Sequence, residues 1–257
     1  MLETSIEDRL KHAFGRAPVH DIQGSDRYVV VSDLHMGDGS YHDDFRRTSN
    51  LFKGVFENYY LEKGFNLILN GDVEELYKFM LRKIMERWNS IYELFGRFKD
   101  ELSLFKLNGN HDHFFHFLQE ATNVSKQIES LRLRFHEAEL FFLHGHQSSH
   151  WLERLHGLQT VLIRGVVNPL RLKNWSLDLG RKGVTKKENR LSEFSLKNKV
   201  VTFMGHTHRP LFGTDSRTPL LYNSGAAIGR KGITTLEIDR GRLNLVHWWD
   251  RKVVKRY

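Results

Sequence analysis

The chain has 257 residues, of which 40% are hydrophobic and 27% charged, a composition typical of globular proteins. It contains no cysteine, which excludes disulfides, iron–sulfur clusters, cysteine-ligated zinc and thiol nucleophiles. The formal charge is +8, which indicates either an anionic partner or a basic surface kept for solubility. Any bound metal must therefore be held by nitrogen and oxygen atoms, and the chain has 15 histidines from which to draw them.

Apolar runs in the sequence last only three or four residues, far short of a membrane span. The first nine residues are polar and acidic and lack the apolar core of a signal peptide. We therefore expect a cytoplasmic protein without a transmembrane segment. A peripheral position at the inner membrane face is the alternative.

The predicted elements begin with an amphipathic helix over residues 6–14 and then alternate between strands and helices. Five short apolar strands are predicted at 28–31, 67–69, 104–107, 140–143 and 200–204. Helices are predicted at 44–63 and at 73–99, the second with a break near residues 89–90. Strands buried on both faces between helices indicate an α/β fold. Further strands at 220–223, 233–238 and 243–249 predict an antiparallel ending, which favours two sheets packed face to face.

Residues 148–198 lack strand patterns and are predicted to form a helical cap inserted in a single domain spanning residues 1–257. The cap is expected to contain a helix at 151–167, a break at Asn168-Pro169 and a basic polar stretch that includes Lys186-Lys187. Residues 250–257 are also basic and are predicted to be a solvated tail. Basic clusters of this kind make nucleic-acid binding an alternative function. It is not favoured, because aromatic residues do not alternate with the basic ones.

Metal-ligand residue types follow each of the five apolar strands directly. The five segments are Asp33-Leu34-His35, Gly71-Asp72, Gly109-Asn110-His111-Asp112, His144-Gly145-His146 and Gly205-His206-Thr207-His208. Because ligands bind beyond the carboxyl ends of strands in open α/β sheets, these segments are expected to meet at one rim. Carboxylate, amide and imidazole donors without sulfur suit manganese, iron, zinc or nickel.

The number of candidate ligands is too large for one ion. Two Asp, one Asn and four His supply seven ligands, and one bridging carboxylate would give two ions four contacts each. Paired ions are the arrangement that phosphoester hydrolysis uses. Any one segment alone could equally be a turn or carry a surface histidine. Five such segments in this order, each after an apolar strand, are not explained in that way.

The pattern resembles the calcineurin-like metallophosphoesterase superfamily, whose motifs run D-x-H, G-D-x-x-[DE], G-N-H-[DE], H and G-H-x-H. The resemblance covers about residues 27–225 and implies a four-layer αββα sandwich of two mixed β-sheets flanked by helices. It implies one ion held by Asp33, His35, Asp72 and His208, and a second held by Asp72, Asn110, His144 and His206. His146 competes with His144 as a ligand and is otherwise expected to contact substrate.

The resemblance also implies roles beyond the ligands. His111 would lie over the second ion and stabilise charge or protonate the leaving oxygen, and Asp112 would accept its other N–H. Asp112 is alternatively a helix cap. Glu75 either supports the site or starts a helix, and Arg209 either contacts a phosphate or pairs at the surface. The turn Asn223-Ser224-Gly225 is expected to support the site.

The predicted reaction is hydrolysis of a phosphomonoester, phosphodiester or pyrophosphate by in-line attack of a metal-bridging hydroxide, with manganese as the first choice of metal. Among bacterial groups the chain looks most like the UDP-2,3-diacylglucosamine hydrolases, in which the insertion caps a lipid chamber. That group has Gly-Asn-Arg-Asp where this chain has Gly109-Asn110-His111-Asp112, so a broader phosphatase or phosphodiesterase is equally well supported. A nuclease and a non-catalytic interaction module are the less favoured alternatives.

Overall fold

The computed structural model describes residues 5–112, 127–149, 181–214, 216–228, 232–249 and 252–256. The helices are α1 (Ile6–Arg16), a 3₁₀ turn (Phe45–Arg47), α2 (Ser49–Val55), a π-helical segment (Phe56–Leu61), α3 (Leu81–Arg87), α4 (Asn89–Glu101), a 3₁₀ turn (His146–Ser148) and α5 (Arg181–Asn198). The strands are β1 (Val19–Asp21), β2 (Arg27–Val31), β3 (Asn66–Asn70), β4 (Leu104–Leu107), β5 (Gln127–Ile128), β6 (Ser130–Phe135), β7 (Ala138–Leu143), β8 (Val201–Met204), β9 (Leu221–Asn223), β10 (Ile233–Asp239), β11 (Arg242–Trp249) and β12 (Lys252–Arg256).

The strands form two mixed sheets. The larger sheet has the order β12-β11-β10-β2-β3-β4-β5, with β2 to β5 parallel and β10 to β12 antiparallel. The smaller sheet has the order β1-β6-β7-β8-β9, in which only the β6–β7 pair is antiparallel. In both sheets the parallel strands that precede the candidate ligands lie next to one another, so their carboxyl ends share an edge.

Strand alternation divides the core into three layers. Val30, Ile68 and Phe142 belong to the apolar cluster between the two sheets. Val29 and Val31 of the same strand as Val30 belong to the cluster that joins the larger sheet to α2, α3 and α4. A third cluster joins the smaller sheet to α1 and α5. The arrangement is helix, sheet, sheet, helix, which confirms the predicted four-layer sandwich.

The five strands before the candidate ligands are confirmed within two residues, whereas other elements differ from prediction. The strand at 220–223 is β9, which is parallel to β8 and so does not belong to the antiparallel ending. The helix predicted from residue 73 begins only at Leu81, although its break near residue 89 is found between α3 and α4. Residues 73–80 precede α3 and carry acidic side chains of the site described below.

The last part of the predicted insertion and the C-terminal region of the chain also differ from prediction. Residues 252–256, predicted as a solvated tail, are strand β12 and pair with β11. The basic polar stretch at the end of the predicted cap is helix α5, which spans 18 residues. The predicted helix at 151–167 and the break at Asn168-Pro169 lie outside the described residues. Within the described part of the chain, no helix is both long and apolar enough to cross a membrane.

Phe203 is the central ring of an aromatic stack between the sheets. It is fully buried, and its ring centroid lies 4.5 Å from that of Phe142 and 5.4 Å from that of Tyr222. We expect Phe203→Ala to lower the free energy of unfolding by about 3–5 kcal/mol, because it removes the ring and leaves a cavity. Urea unfolding followed by circular dichroism measures the change. In the control Tyr41→Ala, whose side chain is 62% exposed, the change stays below about 0.5 kcal/mol; equal losses in the two variants would contradict this account.

Candidate metal centre

The loops after β2 and β3 run side by side at the carboxyl edge of the larger sheet. The backbone N–H of Asp33 donates to the carbonyl of Gly71 at 3.1 Å, and that of His35 donates to the carbonyl of Asp72 at 3.0 Å. These bonds continue the β2–β3 pairing beyond the strands. They therefore place the first two candidate segments against each other.

The loops after β7 and β8 meet in the same way at the edge of the smaller sheet and join the first pair. Gly205 N–H donates to the carbonyl of His144 at 3.0 Å. The next residue, His206, donates its backbone N–H to the carboxylate of Asp33 at 3.0 Å. The candidate residues of both sheets thus converge on one rim, as the sequence predicted.

The candidate ligands occupy strained backbone conformations. Five of them have φ in the left-handed region, which costs roughly 1–3 kcal/mol per residue and persists only where the surroundings enforce it. These residues are Asp33 (55°), His35 (46°), Asp72 (52°), His206 (66°) and His208 (54°). Backbone strain at five positions of one rim indicates that the fold holds these residues in place for a function.

Two glycines let the loops approach closely enough for this arrangement. A Cβ atom on Gly109 would lie 2.0 Å from the Oδ1 atom of Asp72, and one on Gly205 would lie 2.6 Å from the Oδ2 atom of Asp33. Neither distance is possible between real atoms, so a larger residue would displace the carboxylate. Both glycines are therefore required by contact with the carboxylates.

Among the residues that the structure describes, three groups of side chains offer ligand atoms within 4.8 Å of one another. The groups are Asp33, His35 and His208; Asp72, His144 and His206; and His35, Glu75 and His111. The first two are subsets of the two ligand sets that the resemblance implies. His144 belongs to the second group, whereas His146 lies beside it with a ring-centroid separation of 5.8 Å.

Asp72 lies at the centre of these groups. Its carboxylate is almost fully buried, with Oδ2 at 3.1 Å from Nε2 of His144 and Oδ1 accepting the backbone N–H of His111 at 2.9 Å. Burial alone would raise the pKa of Asp72, but the imidazoles of His144 and His111 outweigh it and hold the pKa well below its usual range. The group is therefore a carboxylate at any physiological pH.

The same carboxylates raise the pKa values of the imidazoles around them. Burial alone would lower these values, but the charges of Glu75 and Asp72 raise the pKa of His111 to about 9. Asp72 and Asp33 likewise raise the pKa of His144 to about 10. A site that stabilises imidazolium ions has a strongly negative potential, and the same potential favours divalent cations.

Two buried acceptor atoms test whether the site fits a metal ion. Oδ1 of Asn110 has no hydrogen-bond partner in the described part of the chain, and Nε2 of His144 has the Asp72 carboxylate 3.1 Å away as an ion-pair contact but no hydrogen bond of good geometry there. Nδ1 of His144 lies 2.8 Å from the carbonyl oxygen of Asn70, so this nitrogen carries the proton and Nε2 carries a lone pair when the ring is neutral. Buried polar atoms of this kind are rare unless a ligand satisfies them. The donor set therefore fits a divalent metal.

His111 is held by an acid other than the predicted one. Its Nδ1 atom lies 2.8 Å from Glu75, and its ring packs at 4.4 Å, centroid to centroid, from that of Tyr77. Asp112 instead accepts the backbone N–H groups of Glu74 and Gly109, at 3.2 Å and 3.1 Å. The predicted pairing of Asp112 with the His111 ring is wrong, since Glu75 takes that position and Asp112 joins two loops. Glu75 supports the site and does not start a helix.

Arg209 and a residue of α5 form a contact that the sequence did not reveal. Arg209 pairs with Glu188, which is fully buried and also accepts the hydroxyl of Thr207 at 3.0 Å. The preceding residue of the helix, Lys187, contacts the ring of His206. The predicted contact of Arg209 with phosphate stays a prediction, as does that of His146. The turn at 223–225 supports the loop, because Asn223 donates to Thr207 at 2.8 Å.

Comparison with known proteins identifies the family. The profile of the calcineurin-like phosphoesterases matches residues 27–210, more than half of the chain. The chain belongs to the calcineurin-like phosphoesterase family. It is a metal-dependent hydrolase of phosphoric esters, and its substrate has a phosphate group. No curated protein matches the sequence.

Solved structures of several proteins are similar to this phosphoesterase at low sequence identity. Yfce, a phosphoesterase from E. coli, is 16% identical, with 90% of this chain and 98% of that chain covered and a TM-score of 0.47. Vacuolar Protein Sorting 29 from Cryptosporidium parvum is 13% identical, with 90% and 97% covered and a TM-score of 0.47. A dimetal phosphatase from Danio rerio is 10% identical, with 86% and 95% covered and a TM-score of 0.44.

The contact between Glu75 and His111 makes a prediction about pH. A carboxylate beside an imidazole favours its protonated form, so removing the charge must lower the pKa. We expect Glu75→Gln to shift the pKa of His111 from about 9 toward its ordinary value of 6.5, measured by NMR titration of chelator-treated protein. Glu57→Gln, which alters an exposed pair with Arg97, leaves the pKa unchanged. An unaltered pKa in the Glu75 variant would show that Asp72 alone sets it.

Proposed function

We propose that this phosphoesterase uses two divalent metal ions bridged by Asp72. One ion is held by Asp33, His35, Asp72 and His208, and the other by Asp72, Asn110, His144 and His206. The observation that carries the proposal is the group of Asp72, His144 and His206, whose ligand atoms lie within 4.8 Å of one another, together with Oδ1 of Asn110, a buried acceptor without a hydrogen-bond partner among the described residues. The group of Asp33, His35 and His208 supports the other ion.

The ions would supply Lewis acidity at the phosphoryl oxygens and a water activated for attack on phosphorus. The protein supplies the other parts. His111 is the general acid or charge stabiliser, because Nδ1 faces Glu75 and the side chain is 25% exposed toward the rim. The charges of Glu75 and Asp72 raise the pKa of the ring and so favour its protonated form, in which Nε2 can donate to an oxygen of the phosphate or the leaving group. Glu75 and Tyr77 hold the ring in this orientation.

The substrate class is a phosphomonoester or phosphodiester, and manganese is the metal we expect, with iron, zinc and nickel as alternatives. His111 supports this general class, because the UDP-2,3-diacylglucosamine hydrolases that the chain resembles have arginine at the equivalent motif position. A lipid-linked pyrophosphate is the second candidate on that resemblance. The predicted cap helix at 151–167, which would lie over a lipid chamber, is outside the described part of the chain. A cytoplasmic location, with membrane contact through the cap, stays a prediction.

Asp72→Asn tests the bridged pair of ions. Changing even a partner of a ligand costs about 10–100-fold in metal affinity or activity, so loss of the bridging carboxylate should cost more than about a hundredfold in activity. The measurement is manganese-dependent release of p-nitrophenol from aryl phosphate mono- and diesters, together with the metal content of the purified protein. Asp100→Asn makes the same chemical change on the exposed surface of α4 and should behave as wild type. Equal rates for Asp72→Asn and wild type would refute the proposal.

His111→Ala separates proton donation from metal binding. We expect turnover to fall by about 10²–10⁴-fold, the usual contribution of a general acid or base. Metal content should equal that of wild type, because neither proposed ligand set includes His111. Elemental analysis of the purified variant checks this. A variant depleted of metal would show that His111 is itself a ligand, together with its neighbours His35 and Glu75.

A further inference from the structure

A lysine from helix α5 reaches the metal-ligand cluster. The Nζ atom of Lys187 lies 2.8 Å from the Nε2 atom of His206, and the residue is only 6% exposed. The adjacent Lys186 is exposed to solvent on the same helix. Two lysines that look alike in the sequence therefore occupy different environments, and only one of them points to the rim.

The position of Lys187 is fixed by its neighbour. Glu188 is fully buried and accepts hydrogen bonds from Thr207 at 3.0 Å and from Nε of Arg209 at 3.2 Å. A buried carboxylate with charge-assisted bonds to Arg209 resists movement, because breaking such a pair leaves a charge uncompensated. Helix α5 is therefore anchored to the loop that carries His206, and Lys187 is held over that loop.

The chemistry of the rim determines what Lys187 can bind there. An ammonium group is unfavourable in a buried position and is repelled by any divalent ion nearby, unless an anion lies between them. Nε2 of His206 has a single lone pair, so an ion bound to it would replace the hydrogen bond from Lys187, and Nζ would then donate to an acceptor beside the ion. A phosphoryl group presents several anionic oxygens, and ammonium bonds to them are the strong, charge-assisted kind.

We propose that Lys187 is a substrate-binding residue that contacts a phosphoryl oxygen from the side of α5. The inference rests on the proposed function, since it places the phosphate between Lys187 and the ions held by the rim. Lys187 adds a positive charge to the rim from a part of the sequence outside the five segments. It also makes the end of the predicted cap a part of the site, whatever the rest of the cap binds.

The test compares Lys187→Met with Lys186→Met in manganese-loaded protein. Calorimetric titration with inorganic phosphate measures the contact directly and needs no turnover. We expect Lys187→Met to weaken phosphate binding and lower kcat/KM by about tenfold or more, as for loss of one charge-assisted bond, with metal content and melting temperature unchanged. Lys186→Met, which removes the same charge from the exposed neighbour, should match wild type. Lys187→Arg should restore phosphate binding in part.

The outcomes separate this inference from the proposed function. If wild type shows no metal-dependent hydrolysis, the proposed function fails and the inference fails with it. If wild type is active but both methionine variants bind phosphate equally well, only the role of Lys187 is overturned. Loss of metal from Lys187→Met would also overturn it, because the lysine would then support His206 and not the phosphate. If Lys187→Met does not fold, Lys187→Gln replaces it in the comparison, and a phosphate affinity equal to that of Lys186→Met would overturn the role of Lys187.

Discussion

The burial of the Asp72 carboxylate is the constraint on which the rest of the site depends. A carboxylate loses several kcal/mol of hydration free energy when it is buried, and one hydrogen bond to the charged group recovers only about 1.5–3 kcal/mol of it. Asp72 therefore needs several partners, and it has the backbone N–H of His111 at 2.9 Å and the ring of His144 at 3.1 Å. These partners come from loops of different sheets. The two sheets must consequently end at the same level, and Gly109 must carry no side chain.

The strain in the loops follows from the same requirement. Five ligand positions with positive φ cost free energy that helices or ordinary turns would not. The buried strands beneath them can support that cost, because Val30, Ile68 and Phe203 pack tightly between the sheets and fix where each loop begins. Rigid strands and strained loops together hold the ligand atoms of Asp72, His144 and His206 within 4.8 Å of one another. A site whose groups are already in place spends little free energy on rearrangement, which is how preorganised electrostatics assist catalysis.

The sequence predicted the parts of the structure that depend on local pattern. Asp33, Asp72 and His206 follow continuous apolar strands, and strand burial and loop position can both be inferred from that pattern. Strand β6 is not among the predicted elements. Its leucines, Leu131 and Leu133, alternate with arginines, whereas continuous apolar runs indicate only strands that are buried on both faces. The acid beside His111 was misassigned because the prediction favoured Asp112, its neighbour in sequence. In the fold Glu75, from a loop before α3, lies closer. Contacts between distant segments have no signature in a single sequence.

Arg209 serves the site through a contact within the protein. Its guanidinium is bound to Glu188, so the segment that follows His208 is tied to a helix from the end of the predicted insertion. This pair, and the bond of Thr207 to the same carboxylate, hold the loop from one side while Asn223 holds it from the other. A helix that merely covered the rim could be removed with little effect on the loop that carries His206 and His208. Because α5 carries part of that loop's support, the conformation of the loop depends on this helix.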